Sequence, residues 1–304
     1  MRQLSIHLTD LCNSRCSFCV VGSPLVKTDS VRWGDIVAFL LDNAESSFES
    51  VNLHGGEPTI HPRLLDVLSL IQALGYGEAQ IQTNGRRLKD ADFVAQLSDR
   101  GVRLLVISLH GATAELHDSL TQAPGGFAET IAGIRNAKRA GLRIRTNTVV
   151  TKQNLHELGD IARLCLDLQV DHVNISNLHP VGSGYFALDS MAPSAGELRT
   201  FLGGALDTLT GGGGVVTLEG FPLCVITPHE GLAVEDGTRE IRMLYQGRIF
   251  EDYDTFMDEE CREYGPPCTG CRLRPDCGGV YKEYAERRGW SEFGLRPIVG
   301  SDRA

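Results

Sequence analysis

The chain has 304 residues, 42% hydrophobic and 22% charged, with a formal net charge of −10. That length suits one α/β barrel of roughly 200–250 residues with a small appendage, and the composition is that of an ordinary globular protein. The acidic balance argues against nucleic-acid binding as the main task, since such domains carry a basic stripe, and no apolar run reaches the ~18 residues that would suggest a membrane span.

The first residues, MRQLSIHLTDLC, lack the apolar core of a signal peptide, which predicts a cytoplasmic protein. In that compartment disulfides are disfavoured, so the clustered ones among the 9 cysteines read as metal ligands or catalytic groups. Residues 4–8 read as a strand that runs into a cysteine loop, and residues 32–44 have helical period. A strand at 50–54 ends at Gly55-Gly56 and is followed by a helix at 63–74. A strand at 79–83 ends at Asn84-Gly85 and precedes a helix at 91–101. The pattern repeats with a strand at 102–110, a helix at 127–141, a strand at 142–150, a helix at 154–168 and a strand at 171–178.

Alternating βα units of this kind predict a parallel sheet with right-handed crossovers. Six units through residue 210 make a partial (β/α)6 TIM-like barrel, with ligands at the C-terminal strand ends. Polar and glycine residues collect at those ends: the cysteines of the first loop, Gly55 to Glu57, Asn84, Ser108, His110, Asn147, Asn174 and Ser176. Four successive glycines, Gly211 to Gly214, read as a flexible turn or linker. Residues 1–210 are thus expected to form the barrel and 211–304 a small metal-organised domain.

Cys12, Cys16 and Cys19 form a C-x3-C-x2-C set. Thiolates suit iron–sulfur clusters or zinc, and a closed site of either kind wants four ligands. Three local cysteines leave one metal position open; His7 and Asp10 are near in sequence, but the strand directs them unfavourably. The C-terminal Cys268-x2-Cys271-x5-Cys277 run reads as a metal knuckle whose fourth ligand comes from Cys224 or Cys261. Cys165, on an apolar helix face, reads as core packing. The acidic run at 251–260 reads as a solvated face.

The N-terminal set, with Phe18 before its last cysteine, resembles the signature of radical S-adenosylmethionine (SAM) enzymes. The GGEP sequence of Gly55, Gly56, Glu57 and Pro58 is similar to that family's motif for the SAM amino group. The resemblance covers about the first 210 residues. It implies a [4Fe–4S] cluster on Cys12, Cys16 and Cys19, whose open iron binds SAM. Reductive cleavage then yields a 5′-deoxyadenosyl radical that removes a substrate hydrogen atom. Gly55 and Gly56 would let the backbone approach SAM. Glu57 would fix the strand end or balance the ammonium, and Phe18 would pack near the adenine. Ser108, Arg145, Asn147, Asn174 and Ser176 are candidates for the remaining SAM or substrate contacts, against the plainer reading of strand-end hydrogen bonding. For His110 a structural role is favoured over a catalytic one.

The C-terminal cysteines resemble the twitch/SPASM group, which implies a second, auxiliary [4Fe–4S] cluster. Its ligands would be Cys224, Cys268, Cys271 and Cys277. Cys261 would then be left as a candidate hydrogen donor, although Cys224 and Cys261 are interchangeable at this stage and zinc is the alternative metal. The resemblance implies maturation of a ribosomally made peptide by cross-linking, oxidation or epimerisation. The alternatives are a radical dehydrogenase or epimerase of a sugar or aminocyclitol in natural-product biosynthesis, and a non-catalytic iron–sulfur or zinc protein. Expected partners are a reductase, flavodoxin or ferredoxin as electron donor, and a peptide or small-molecule substrate. Because the chain begins almost directly at the first strand, a peptide substrate is expected to need a separate peptide-recognition protein or to dock directly.

Overall fold

In the computed structural model, which describes residues 2–29, 31–233 and 240–291, strands and helices alternate from the first described residue. The last part of the expected 211–304 domain lies outside the described residues. In chain order the barrel elements are β1 (Arg2–Thr9), α1 (Trp33–Asp42), β2 (Ser50–Gly55), α2 (Leu64–Ala73), β3 (Glu78–Thr83), α3 (Ala91–Asp99), β4 (Val102–Ser108), α4 (Ala114–Thr121), α5 (Gly126–Arg139), β5 (Arg143–Val149), α6 (Leu158–Asp167) and β6 (His172–Ser176). Strands β1 to β6 pair in parallel in sequence order, as the βα alternation predicts.

The remaining elements are α7 (Ser183–Met191), α8 (Ala195–Gly211), β7 (Val216–Glu219), α9 (Leu223–Ile226), β8 (Glu240–Tyr245), β9 (Arg248–Phe250), α10 (Tyr253–Glu260), β10 (Arg262–Glu263), β11 (Val280–Tyr281) and α11 (Lys282–Arg288). They extend the sheet beyond the six predicted strands. β7 adds in parallel beside β6, and β8 adds in parallel beside β1, followed by antiparallel β9. The sheet therefore has nine strands, in the order β7-β6-β5-β4-β3-β2-β1-β8-β9. The glycine run is a tight turn from α8 into β7 within this one sheet rather than a linker. Gly213 has φ 75°, and a Cβ on Gly212 would stand 2.5 Å from Leu166 Cδ1. Small side chains are demanded there by packing, which composition alone reads as flexibility.

Several helices bury an apolar stripe. In α2 the stripe is Leu64, Val67, Leu68 and Ile71; in α6 it is Leu158, Ile161, Ala162 and Cys165. Cys165 is fully buried, in accord with its reading as core. β1 buries both faces from Leu4 onward, as parallel strands covered on both sides do. The C-terminal α11 docks on the barrel: Arg288 donates to the Leu188 and Ala192 carbonyls, and Tyr284 OH donates to that of Pro193. Among the described residues no helix is long and apolar enough to cross a membrane.

Candidate active site

A cleft of about 1360 Å³ opens at the C-terminal ends of the strands. Cys12, Cys16, Phe18, Cys19, Gly55, Gly56, Ser108, Asn147 and Ser176 all line it. The cysteine loop is held from several sides. Gly56 N–H donates to Thr9 O (2.6 Å) and Glu57 N–H to Leu11 O (2.8 Å); Arg15 N–H donates to Thr121 O and Ser183 N–H to Cys19 O, each at 2.9 Å. The glycines of GGEP serve this contact first. A Cβ on Gly55, whose φ is 137°, would stand 2.4 Å from Thr9 O, and one on Gly56 would stand 2.2 Å from Leu11 O. Both glycines also line the cleft, and the backbone they admit most closely is that of the cysteine loop.

Glu57 is fully buried, and neither it nor Pro58 lines the cleft. Its carboxylate accepts from Thr59 N–H (3.0 Å), Thr59 OH (2.6 Å), Thr83 OH (2.7 Å) and Asn84 N–H (2.7 Å). Burial raises its pKa, with those bonds opposing. Of the two roles expected for Glu57, this is strand-end geometry. Asn84 passes the restraint on, since its amide donates to Asn13 Oδ1 (2.7 Å) and Ser14 Oγ (3.3 Å) inside the cysteine loop.

The donor set fits a cluster. Burial, the largest cause, and the neighbouring thiols push the Cys12 thiol up to about 11 and raise that of Cys16 as well. Thiolates gathered in such a place need a bound cationic centre to ionise.

Phe18 is 6% exposed and meets the His110 ring edge-on, with centroids 4.7 Å apart. His110 is buried, which lowers its pKa to about 3, and its Nδ1 accepts from Val149 N–H (3.3 Å). It is a neutral wall group, as the structural reading has it. Asn147 Oδ1 accepts from Asn174 Nδ2 (2.8 Å) and Ser176 OH (3.0 Å). Asn174 and Arg145 stand behind the lining; Asn174 also donates to Glu219 (2.7 Å), and Arg145 lies 3.9 Å from the same carboxylate. Glu219 itself lines the cleft. Sequence reasoning missed it because β7 was assigned to the appendage. His7 and Asp10 bond each other at 2.8 Å and lie outside the cleft, so neither faces the open ligand position.

Cys224, Cys268, Cys271 and Cys277 line a second, smaller cavity, and Cys261 does not. Cys277 Sγ accepts from Leu223 N–H (3.5 Å) and Gly279 N–H (3.4 Å). Burial and the nearby Cys277, Cys271 and Cys268 raise the Cys224 thiol to about 12, with Arg199 opposing. Cys261 caps α10 and lines the main cleft. Cys277 lines both spaces. The acidic run is not simply solvated: Tyr253, Asp254, Phe256, Met257 and Asp258 of α10 form part of the cleft wall.

A family model described as the radical SAM superfamily matches residues 6–165. A curated protein of Metallosphaera sedula named probable GTP 3′,8-cyclase is 32% identical over 186 residues, 60% of this chain and 58% of that protein. The chain thus spans under two thirds of that relative's length. Among solved structures, Streptococcus suis SuiB bound to S-adenosylmethionine matches with a TM-score of 0.70 at 18% identity, over 96% of this chain and 75% of that one. Native anSMEcpe with bound AdoMet matches at 0.68 and 15% identity, over 98% and 93%. SuiB is also solved with its precursor peptide SuiA, and anSMEcpe with a Kp18Cys peptide.

Proposed function

The chain belongs to the radical SAM superfamily, and from that premise we propose that it is a peptide-maturing enzyme with SAM bound at a [4Fe–4S] cluster on Cys12, Cys16 and Cys19. The observation that carries this reading is the placement of all three thiols on one pinned loop in the cleft at the strand ends. Bound there, cluster and SAM supply a 5′-deoxyadenosyl radical that abstracts a substrate hydrogen atom. The chain's own residues do the rest. Gly56 and Glu57 hold the loop, Phe18 and His110 offer an apolar wall for the adenine, and Ser108, Asn147 and Ser176 offer hydrogen bonds to SAM or substrate. The closed neighbouring site of Cys224, Cys268, Cys271 and Cys277 holds a second [4Fe–4S] cluster, and a flavodoxin- or ferredoxin-type donor supplies electrons.

Two observations support a peptide over a nucleoside triphosphate. The likeness to the two solved peptide-bound enzymes runs nearly the full chain, whereas the cyclase match covers 60% of it. The cleft also presents Glu219, Glu230, Asp254, Asp258 and Asp276 against Arg86, Arg248 and Arg262, a balance that repels a polyanion. The test is anaerobic reconstitution with dithionite and SAM, followed by short peptides encoded beside this gene or by GTP. A mass change in a peptide with 5′-deoxyadenosine formation is the expected result. Turnover of GTP would replace the peptide reading, and absence of 5′-deoxyadenosine would sink both.

The cysteine assignment has its own test. Reconstituted wild type should hold about eight irons per chain, Cys224→Ser about four, and Cys261→Ser about eight. Full iron in Cys224→Ser with a deficit in Cys261→Ser would exchange their roles. If Cys261 is the hydrogen donor, Cys261→Ser keeps SAM cleavage and loses product.

A further inference from the structure

Strand β8 runs parallel beside β1, in register from Arg2 opposite Glu240 to Ile6 opposite Leu244. It returns into β9 through Gln246 and Gly247, both with positive φ (48° and 79°). A two-residue hairpin turn asks for that backbone, which Asn, Asp and Gly commonly supply. Gln246 is less usual there, although Gln122 and Gln169 take similar positive φ (49° and 53°) at other turns of the chain. Its side chain has an unusual task. Nε2 donates to Asp10 Oδ1 at 2.7 Å, from 236 positions away in the chain. Asp10 is 1% exposed, and the same oxygen bonds His7 Nε2 at 2.8 Å. Asp10 N–H donates to Asp29 Oδ1 (3.2 Å), and Asp10 O lies 2.8 Å from where a Cβ on Gly56 would be. Asp10 is thus held by His7 of β1, by Asp29 and by the hairpin together, two residues ahead of Cys12. Gln246 also lines the cleft.

We propose that Gln246 is a positioning residue: through Asp10 it fixes the loop that carries Cys12, and so sets how the open iron is presented to SAM. This rests on the reading of Cys12, Cys16 and Cys19 as the cluster site. A hydrogen bond to a buried carboxylate is of the stronger kind, and removing this donor takes away a restraint that ties Asp10 to the hairpin while His7 stays bonded to it. Because the same residue borders the cleft, the hairpin joins the substrate space to the cluster loop.

The test compares reconstituted wild type with Gln246→Met, which keeps a long unbranched side chain and loses the donor. The variant should retain full iron, bind SAM roughly tenfold more weakly by equilibrium dialysis, and show a diminished SAM-induced change in the EPR spectrum of the reduced protein. Asp10→Asn should act on the same readouts, and the double variant should be no worse than the more damaged single one. A lower unfolding midpoint with unaltered SAM affinity and spectrum, or additive effects in the double variant, overturns the proposal. Should Gln246→Met not fold, Gln246→Asn suits the left-handed backbone but is too short to reach Asp10. It should fold and bind SAM more weakly, and affinity equal to wild type overturns the proposal. A wild type without any SAM-induced spectral change would instead remove the radical SAM reading, whatever Gln246 does.

Discussion

Cys16→Ala is expected to abolish 5′-deoxyadenosine formation while leaving the C-terminal cysteine site loaded. The thiol lies in the cleft beside Cys12 and Cys19, and burial raises its pKa, so its ionised form depends on the metal it binds. Without it the set drops to two ligands, too few to retain a cluster. Iron should fall from about eight to about four per chain. The fold should lose little, on the order of 1 kcal/mol or less, because only a partly buried sulfur is removed. Anaerobic iron analysis with chromatographic detection of 5′-deoxyadenosine reads the outcome. Undiminished SAM cleavage in Cys16→Ala would mean that the radical starts elsewhere.

Gly56→Ala should be the most damaging single methyl group in the site. The new Cβ would meet Leu11 O at 2.2 Å, Leu11 C at 2.6 Å and Asp10 O at 2.8 Å, all of them backbone atoms. Relief requires separating β2 from the cysteine loop, which breaks the Gly56–Thr9 and Glu57–Leu11 hydrogen bonds. The expected cost is about 2–4 kcal/mol in urea unfolding, with SAM binding weakened by tenfold or more. Gly34→Ala is the internal control. It lies in α1 with nothing within 4 Å of its new Cβ, and should stabilise the chain by roughly 0.5–1 kcal/mol. Equal midpoints for the two variants would show that the loop is not anchored through Gly56.

The GGEP stretch illustrates how far local pattern reaches. Its position at the end of a strand is legible from the apolar run before it, and the strand does end at Gly55. What its residues touch is not legible. Glu57 turns inward to four donors on β3 and its own loop rather than toward the cleft, because the partners that draw it there are brought by sheet pairing. Arg145 likewise sits on a predicted strand, yet faces Glu219 of β7, a strand assigned from sequence to a different domain. The acidic run at 251–260 has no period that separates a solvated helix from one that walls a cleft; contact with the sheet decides it.

By itself the sequence determined the βα alternation and the two groups of closely spaced cysteines. Both are local: side-chain period follows from backbone geometry within one element, and thiols three to six residues apart in the chain stay near one another. Tertiary structure decided the nine-strand sheet of the described residues, which of Cys224 and Cys261 lines the second cavity, the backbone contact that requires Gly56, and the bond from Gln246 to Asp10. Each of these joins residues far apart in the chain, most through parallel pairing or packing across the barrel. That energy belongs to the pair and not to either segment, so neither segment displays it alone.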